Sequence, residues 1–267
     1  MSLQLKPTLR DAVRDARRPL YGGWVTTGSP VAAEIMAGSG LDWVLIDMEH
    51  APNGLESVLA QLYAVSAYPV TPVVRVPVGD TVVVKQVLDL GAQTILVPMI
   101  STAEHARDVA AAAQYPPLGR RGVGSALARS ARWNRVDDYL KNGAEHVSVF
   151  VQIETIEAVE NAAAIAQTPG IDGVFVGPSD LAASMGLLGQ QNHPDVVAAV
   201  KTTFARVATT GKPLGVNAFD PERADDYTAD GAGFVLVGAD AALLARGSEA
   251  LAKRYTDPGS ESARASY

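Results

Sequence analysis

The chain contains no cysteine, which removes disulfides, thiolate nucleophiles and cysteine-ligated zinc or iron–sulfur centres from consideration. Any metal must therefore be held through oxygen or imidazole, and histidine itself occurs only 4 times. No apolar run approaches the roughly 18 residues that span a bilayer. The opening stretch MSLQLKPTLRDAVRDARRPL mixes charged and apolar residues and lacks the continuous apolar centre of an export signal, so a cytoplasmic protein is expected. A cationic excess is missing as well: 22 Lys and Arg stand against 29 Asp and Glu, a formal charge of −7. That is the wrong sign for neutralising nucleic-acid phosphates. The expected partner is a small molecule, not a nucleic acid or a membrane.

What the chain does have is rhythm. Its 267 residues are 48% hydrophobic and 19% charged, within the range of a single packed α/β barrel. Short β-branched runs at 21–27, 43–49, 72–76, 94–99, 147–154, 173–177, 213–217 and 233–237 alternate with Ala-rich helical stretches at 31–37, 55–67, 82–90, 103–113, 156–166, 196–208, 222–229 and 243–255. Such alternation gives parallel strands joined by crossover helices, and eight units predict one (β/α)₈ TIM barrel over residues 1–255. Gly40, Gly91, Gly211 and Gly231 follow helical stretches and mark C-terminal caps at the barrel's lower end. The polar end at 256–267, TDPGSESARASY, is expected to be flexible. Residues 116–146 are long for a connection between elements, rich in Gly, Arg and Ser, and predict a lid or a subunit contact.

In such a barrel reactive groups gather at the C-terminal ends of the strands. Strand two ends Asp47-Met48-Glu49-His50, strand three carries Arg75, strand five ends Gln152-Ile153-Glu154, and strand six runs into Gly177-Pro178-Ser179-Asp180. Glu154 and Asp180 come from neighbouring strands, about 4.8 Å apart, and can converge on a hard divalent cation. The alternative is that each caps a following helix. Arg75, at the end of an apolar strand, needs an anion: a substrate carboxylate, or Asp47 or Glu49. Of the four histidines only His50 is placed at the barrel's upper face, where Asp47 could orient its imidazole as a base; a local turn network is the alternative. No lysine falls at a strand's upper end, which argues against Schiff-base chemistry. Asp240, after strand eight, argues against a phosphate there.

These residues sit in longer stretches that resemble the HpcH/HpaI (4-hydroxy-2-oxo-heptane-1,7-dioate) aldolase family, metal-dependent pyruvate aldolases of the phosphoenolpyruvate/pyruvate barrel superfamily. The stretches are LIDMEHAPN at 45–53, VVR at 73–75, LVPM at 96–99, RRGVGSALARSARWNR at 120–135, VQIET at 151–155 and VGPSDLAASMG at 176–186. The resemblance implies Glu154 and Asp180 as ligands of Mg²⁺, Mn²⁺ or Co²⁺, Arg75 as stabiliser of the pyruvate enolate, and His50 with Asp47 as the base on the C4 hydroxyl. It further implies substrate contacts from Gln152, Gly177, Ser179, Trp24 and Val123. It also implies a homo-oligomer, a hexamer built as a trimer of dimers, in which the eighth helix is exchanged and the loop at 116–146 reaches a neighbour's site. Ser179, Met48 and the GVNA run at 215–218 depart from the family pattern, so the aldehyde half of the substrate stays open. Two other readings remain: a citryl- or malyl-coenzyme A lyase, which needs basic residues beyond Arg120, Arg121, Arg129 and Arg132, and a non-catalytic 2-oxo acid binder.

Overall fold

Eight parallel strands close into a barrel in chain order, with β8 pairing back onto β1. The computed structural model describes residues 3–124 and 126–256. Its strands are β1 (Leu20–Val25), β2 (Trp43–Asp47), β3 (Thr71–Arg75), β4 (Thr94–Val97), β5 (Ser148–Ile153), β6 (Gly173–Val176), β7 (Leu214–Asn217) and β8 (Phe234–Ala239). Its helices are α1 (Leu9–Asp15), α2 (Pro30–Ala37), α3 (Leu55–Val65), α4 (Thr81–Asp89), α5 (Ala103–Ala113), α6 (Ile156–Ala166), α7 (Pro178–Ser184), α8 (Pro194–Ala208), α9 (Pro221–Ala229) and α10 (Asp240–Thr256). All eight expected strands are present, and the four glycines after the helices take left-handed φ values of +70° to +109°.

The period-two alternation of a strand divides the core into two layers. Val44, Ile46, Val74, Val149, Val151 and Ile153 face the helices. Trp43, Leu45, Val73 and Phe150 face the barrel axis, with Phe175 and Phe234 beside them. The rings meet edge to face, Trp43 to Phe234 at 5.8 Å and Phe150 to Phe234 at 5.3 Å between centroids. A methyl at Gly215 would collide with the Phe234 ring, so β7 carries no side chain there. Truncating a ring this deeply buried costs about 3–5 kcal/mol. The same inward parity, continued two and four residues up the strands, brings Asp47, Arg75, Gln152 and Glu154 to the upper end. Register supports this, since Asp47 pairs with Arg75 across β2 and β3.

The sequence pattern does not predict α1. Thr8 caps it and Leu9 alone is buried from it, so its seven residues show no helical period. Leu9 closes the lower end of the barrel, its N–H donating to Thr94 Oγ1 at 3.0 Å. α10 differs in the opposite sense: among its described residues only Asp240 is buried, while Leu243, Leu244 and Leu251 are 60–69% exposed. The tail expected to be flexible lies, from residue 257 on, outside the described residues. Among the described residues no helix is long and apolar enough to cross a membrane.

Among its described residues the segment at 116–146, which leads from α5 to β5, does not cover the mouth of its own barrel, a correction to the lid expectation. Its early residues lie along the outer side of α4 and α5, where Arg120 bonds Thr81 and Asp108 and Arg121 pairs with Asp89 at 2.8 Å. Further on, Arg129 donates to Leu90 O and stacks on Tyr63. The subunit-contact half of the expectation is compatible with this course.

Candidate active site

Two clusters of charge meet at the upper end of the barrel. In the first, Arg75 presents its fork to Asp47, Nε to Oδ1 and Nη2 to Oδ2, both at 2.8 Å, with side chains 6% and 1% exposed. Arg75 Nη1 lies 2.9 Å from Glu49 Oε2, and the guanidinium carbon sits 4.2 Å from the Trp24 ring centre. A guanidinium has five N–H donors in a rigid fork. At most three face these carboxylates, which leaves donors for a bound anion. Trp24 is itself fixed by its indole N–H, which donates to Asn217 Oδ1 at 2.8 Å.

The second cluster is acidic. Glu154, 1% exposed, accepts the Met99 N–H on Oε1 at 2.7 Å and the Gln152 amide on Oε2. Burial, together with the charges of Asp180 and Glu49, pushes its carboxyl up to about 7, against the pull of those two hydrogen bonds. Glu49 is raised for the same reason, burial first, despite Arg75. Met99 reaches Glu154 by adopting φ +57°, a left-handed conformation that costs a non-glycine residue roughly 1–2 kcal/mol. A methyl at Gly177 would stand 2.6 Å from Glu154 Oε2, so glycine keeps that oxygen approachable.

Does this chemistry fit a divalent cation? The buried Glu154 carboxylate, repelled by Asp180 and Glu49, and Gln152 Oε1, buried without a hydrogen-bond partner, form a concentration of negative oxygen. Among the described residues no three His, Cys, Asp or Glu groups converge into a protein cage. An ion there would draw its remaining ligands from water and substrate, as Mg²⁺ commonly does. The capping alternative fails for Glu154, because Thr155 caps α6. Asp180 stands exposed in the first turn of α7.

Known proteins resemble this chain along most of its length. The HpcH/HpaI aldolase/citrate lyase family matches residues 20–247. The chain belongs to that family. A Salmonella arizonae protein named 4-hydroxy-2-oxo-heptane-1,7-dioate aldolase is 50% identical over 94% of this chain and 95% of that one. A solved HpcH/HpaI aldolase/citrate lyase family protein from Burkholderia cenocepacia is 40% identical, with a TM-score of 0.88 over 93% of this chain and 99% of that one. A solved citrate synthase, SbnG, is 28% identical, with a TM-score of 0.82 over 92% and 96%.

Of the residues implied by the family resemblance, the fold gathers Asp47, Arg75, Gln152, Glu154, Gly177 and Trp24 into one place. Three points change. The Asp47 carboxylate does not orient the His50 imidazole. It accepts the backbone N–H groups of Glu49 and His50 at 3.0 and 3.3 Å and holds Arg75, which is the turn network. The His50 ring is 64% exposed, with Nε2 3.8 Å from Glu49 Oε2, so Glu49 is its carboxylate neighbour. Val123 is 61% exposed between Gly122, packed on Lys85, and Gly124, beside Asp89. That places it along α4, not among the strand ends of its own chain. His105, on a helix as the sequence implies, lies in the first turn of α5 and shares a surface groove with Met99. Asp240 is held below the ordinary carboxylate range: burial opposes this, but hydrogen bonds from Thr26 and Thr27 outweigh it and tie β1 to α10. Sequence reasoning misses Met99 and Asn217 as site residues. A positive φ and a hydrogen bond across 193 positions leave no local trace in sequence.

Proposed function

We infer that this protein catalyses the reversible aldol cleavage of a 4-hydroxy-2-oxo acid to pyruvate, or a related 2-oxo acid such as hydroxypyruvate, and an aldehyde. The observation that carries the reading is the buried Glu154 carboxyl, raised to about 7 beside Asp180 and Glu49, facing the same space as the partly engaged Arg75 guanidinium. Family membership supports it, and the family is generally dependent on a divalent metal.

Glu154 and Asp180 would hold the cation. Bound there, it supplies Lewis-acid polarisation of the 2-oxo group. Arg75 binds the carboxylate and the C2 oxygen, where negative charge accumulates as the C3–C4 bond breaks and its electron pair becomes the enolate double bond. Preorganised donors of this kind contribute several kcal/mol. The C4 hydroxyl loses its proton to the His50 imidazole, worth about 10²- to 10⁴-fold for a positioned base, and C4 leaves as the aldehyde. Protonation of the enolate carbon then yields the 2-oxo acid. Trp24 and Asp47 hold the Arg75 fork in plane, while Gln152 and Met99 fix the two oxygens of Glu154. Gly177 and Ser179 border the substrate.

The thioester-lyase alternative finds no basic groove, because Arg120, Arg121 and Arg129 are engaged by Asp108, Asp89 and Leu90 O, and Arg132 donates to Arg129 O. The exposed leucines of α10 support a homo-oligomer in which that helix packs on a second subunit.

The test is deuterium exchange at the pyruvate methyl group, alongside aldol cleavage. Both cease with a chelator and return with Mg²⁺, Mn²⁺ or Co²⁺. Full activity without metal, or a lysine adduct trapped by borohydride with pyruvate, overturns the reading.

A further inference from the structure

A polar cavity of about 250 Å³ opens between the start of α7, the α7–α8 connection and the β7–α9 turn. Its walls include Ser179, Gln191, Asn192, Asn217, Asp220 and Arg223. It adjoins the reaction centre on two sides: Ser179 precedes Asp180, and Asn217 carries Trp24, which lies against Arg75. We propose that this cavity receives the far end of the aldehyde half of the substrate and selects a neutral, hydroxylated chain.

The donor and acceptor pattern makes the case. An indole N–H only donates, so Asn217 must give Trp24 its oxygen, and the amide nitrogen remains as a donor at the cavity wall. Among the described residues no protein acceptor meets that nitrogen. Arg223 lines the same wall, its Nη1 held by Asp226 at 2.9 Å and the rest of its fork left to donate. Asp220 uses one oxygen to cap α9 through the N–H groups of Glu222 and Arg223, leaving the other as an acceptor. The single cationic group is thus offset by Asp220 and Asp226, and no net positive charge is present to attract a carboxylate. Hydroxyl groups, which both donate and accept, match this mixture; a plain alkyl chain would leave the Asn217 amide without a partner. At roughly 30 Å³ per water-sized group, the volume suits a hydroxylated chain of three or four carbons with some ordered water.

The proposal rests on the aldolase reading above, and the experiment separates the two. With pyruvate and Mg²⁺, aldol addition is measured with D-glyceraldehyde, propanal and succinic semialdehyde, in the wild type, Arg223→Met and Asn192→Ala. Deuterium exchange at pyruvate is followed in each protein. The wild type is expected to favour D-glyceraldehyde over propanal by roughly 10- to 100-fold in kcat/KM, given that unpaired site groups penalise the analogue lacking a hydroxyl. Arg223→Met should shrink that ratio about tenfold through the KM for D-glyceraldehyde. Asn192→Ala, on an exposed connection, should reduce it a few-fold and decides the matter if Arg223→Met does not fold. A wild-type ratio near one, higher efficiency with succinic semialdehyde, or a ratio that neither folded variant moves overturns the cavity assignment while exchange persists. Loss of exchange in the wild type overturns the aldolase reading and the cavity with it.

Discussion

Replacing Glu154 with glutamine should make the metal-free protein more stable and the enzyme inactive. The folded state raises the Glu154 carboxyl from 4.5 to about 7, so the fold favours its protonated form. That contribution is fully present below pH 4.5 and is lost as pH rises through about 7. At about 1.4 kcal/mol for each tenfold change in proton affinity, the loss amounts to ~3 kcal/mol by pH 8. Glutamine keeps an oxygen for the Met99 N–H and carries no charge. Its amide nitrogen can pair with Gln152 Oε1, which is buried without a partner, once the Gln152 amide turns over. Thermal melts in the presence of a chelator at pH 5 and pH 8 read the effect. About 2.5 kcal/mol of that loss falls between pH 5 and pH 8, and at roughly 2–4 °C per kcal/mol for a domain of this size, Glu154→Gln should gain roughly 5–10 °C on the wild type between those two pH values. Mg²⁺ should then raise the wild-type melting temperature and leave the variant's unchanged. Equal pH dependence in the two proteins would falsify the argument that a repelled, buried charge sits at this position.

Arg75→Lys should behave poorly in both pyruvate exchange and aldol cleavage, because an ammonium cannot reproduce the two-point grip on Asp47; wild-type rates would reduce Arg75 to a structural role. Arg75→Ala should also destabilise the protein by about 3–5 kcal/mol in urea unfolding, since it strands a buried carboxylate. His50→Ala should slow cleavage by about 10²- to 10⁴-fold while preserving exchange and metal affinity, and its exposed ring predicts a stability change within about 0.5 kcal/mol. Metal loss in that variant would make His50 a ligand instead. Leu244→Glu should break the assembly, seen by light scattering, by placing charge on the exposed stripe of α10; an active wild-type monomer would refute the exchange of that helix.

The barrel was readable because its strands are largely apolar runs whose charged residues fall at their upper ends, so period two and position together nominated Asp47, Arg75, Gln152 and Glu154. Which of them touch was not readable. Arg75 and Asp47 lie 28 positions apart, and sequence left Arg75 equally free to pair with substrate or with Asp47. The same limit left two readings of His50 and Asp47 open, an oriented imidazole or a turn network; Asp47 turns toward β3 and meets His50 only through its backbone, which is the second. Val123 was assigned by resemblance, and a segment of irregular backbone carries no period from which its course around α4 could be drawn. α1 escaped because one buried leucine makes no pattern.

The amide of Met99 has a consequence for anyone mapping this site by mutation. The group that holds Glu154 Oε1 is a main-chain N–H, and every residue except proline supplies one. An alanine scan would therefore pass over position 99, recording only the loss of a half-exposed thioether, and would leave the hydrogen bond in place. Glu49 and His50 likewise steady Asp47 through their backbone. Part of this site is inherited with the path of the chain, and genetic variation reaches it only by moving that path.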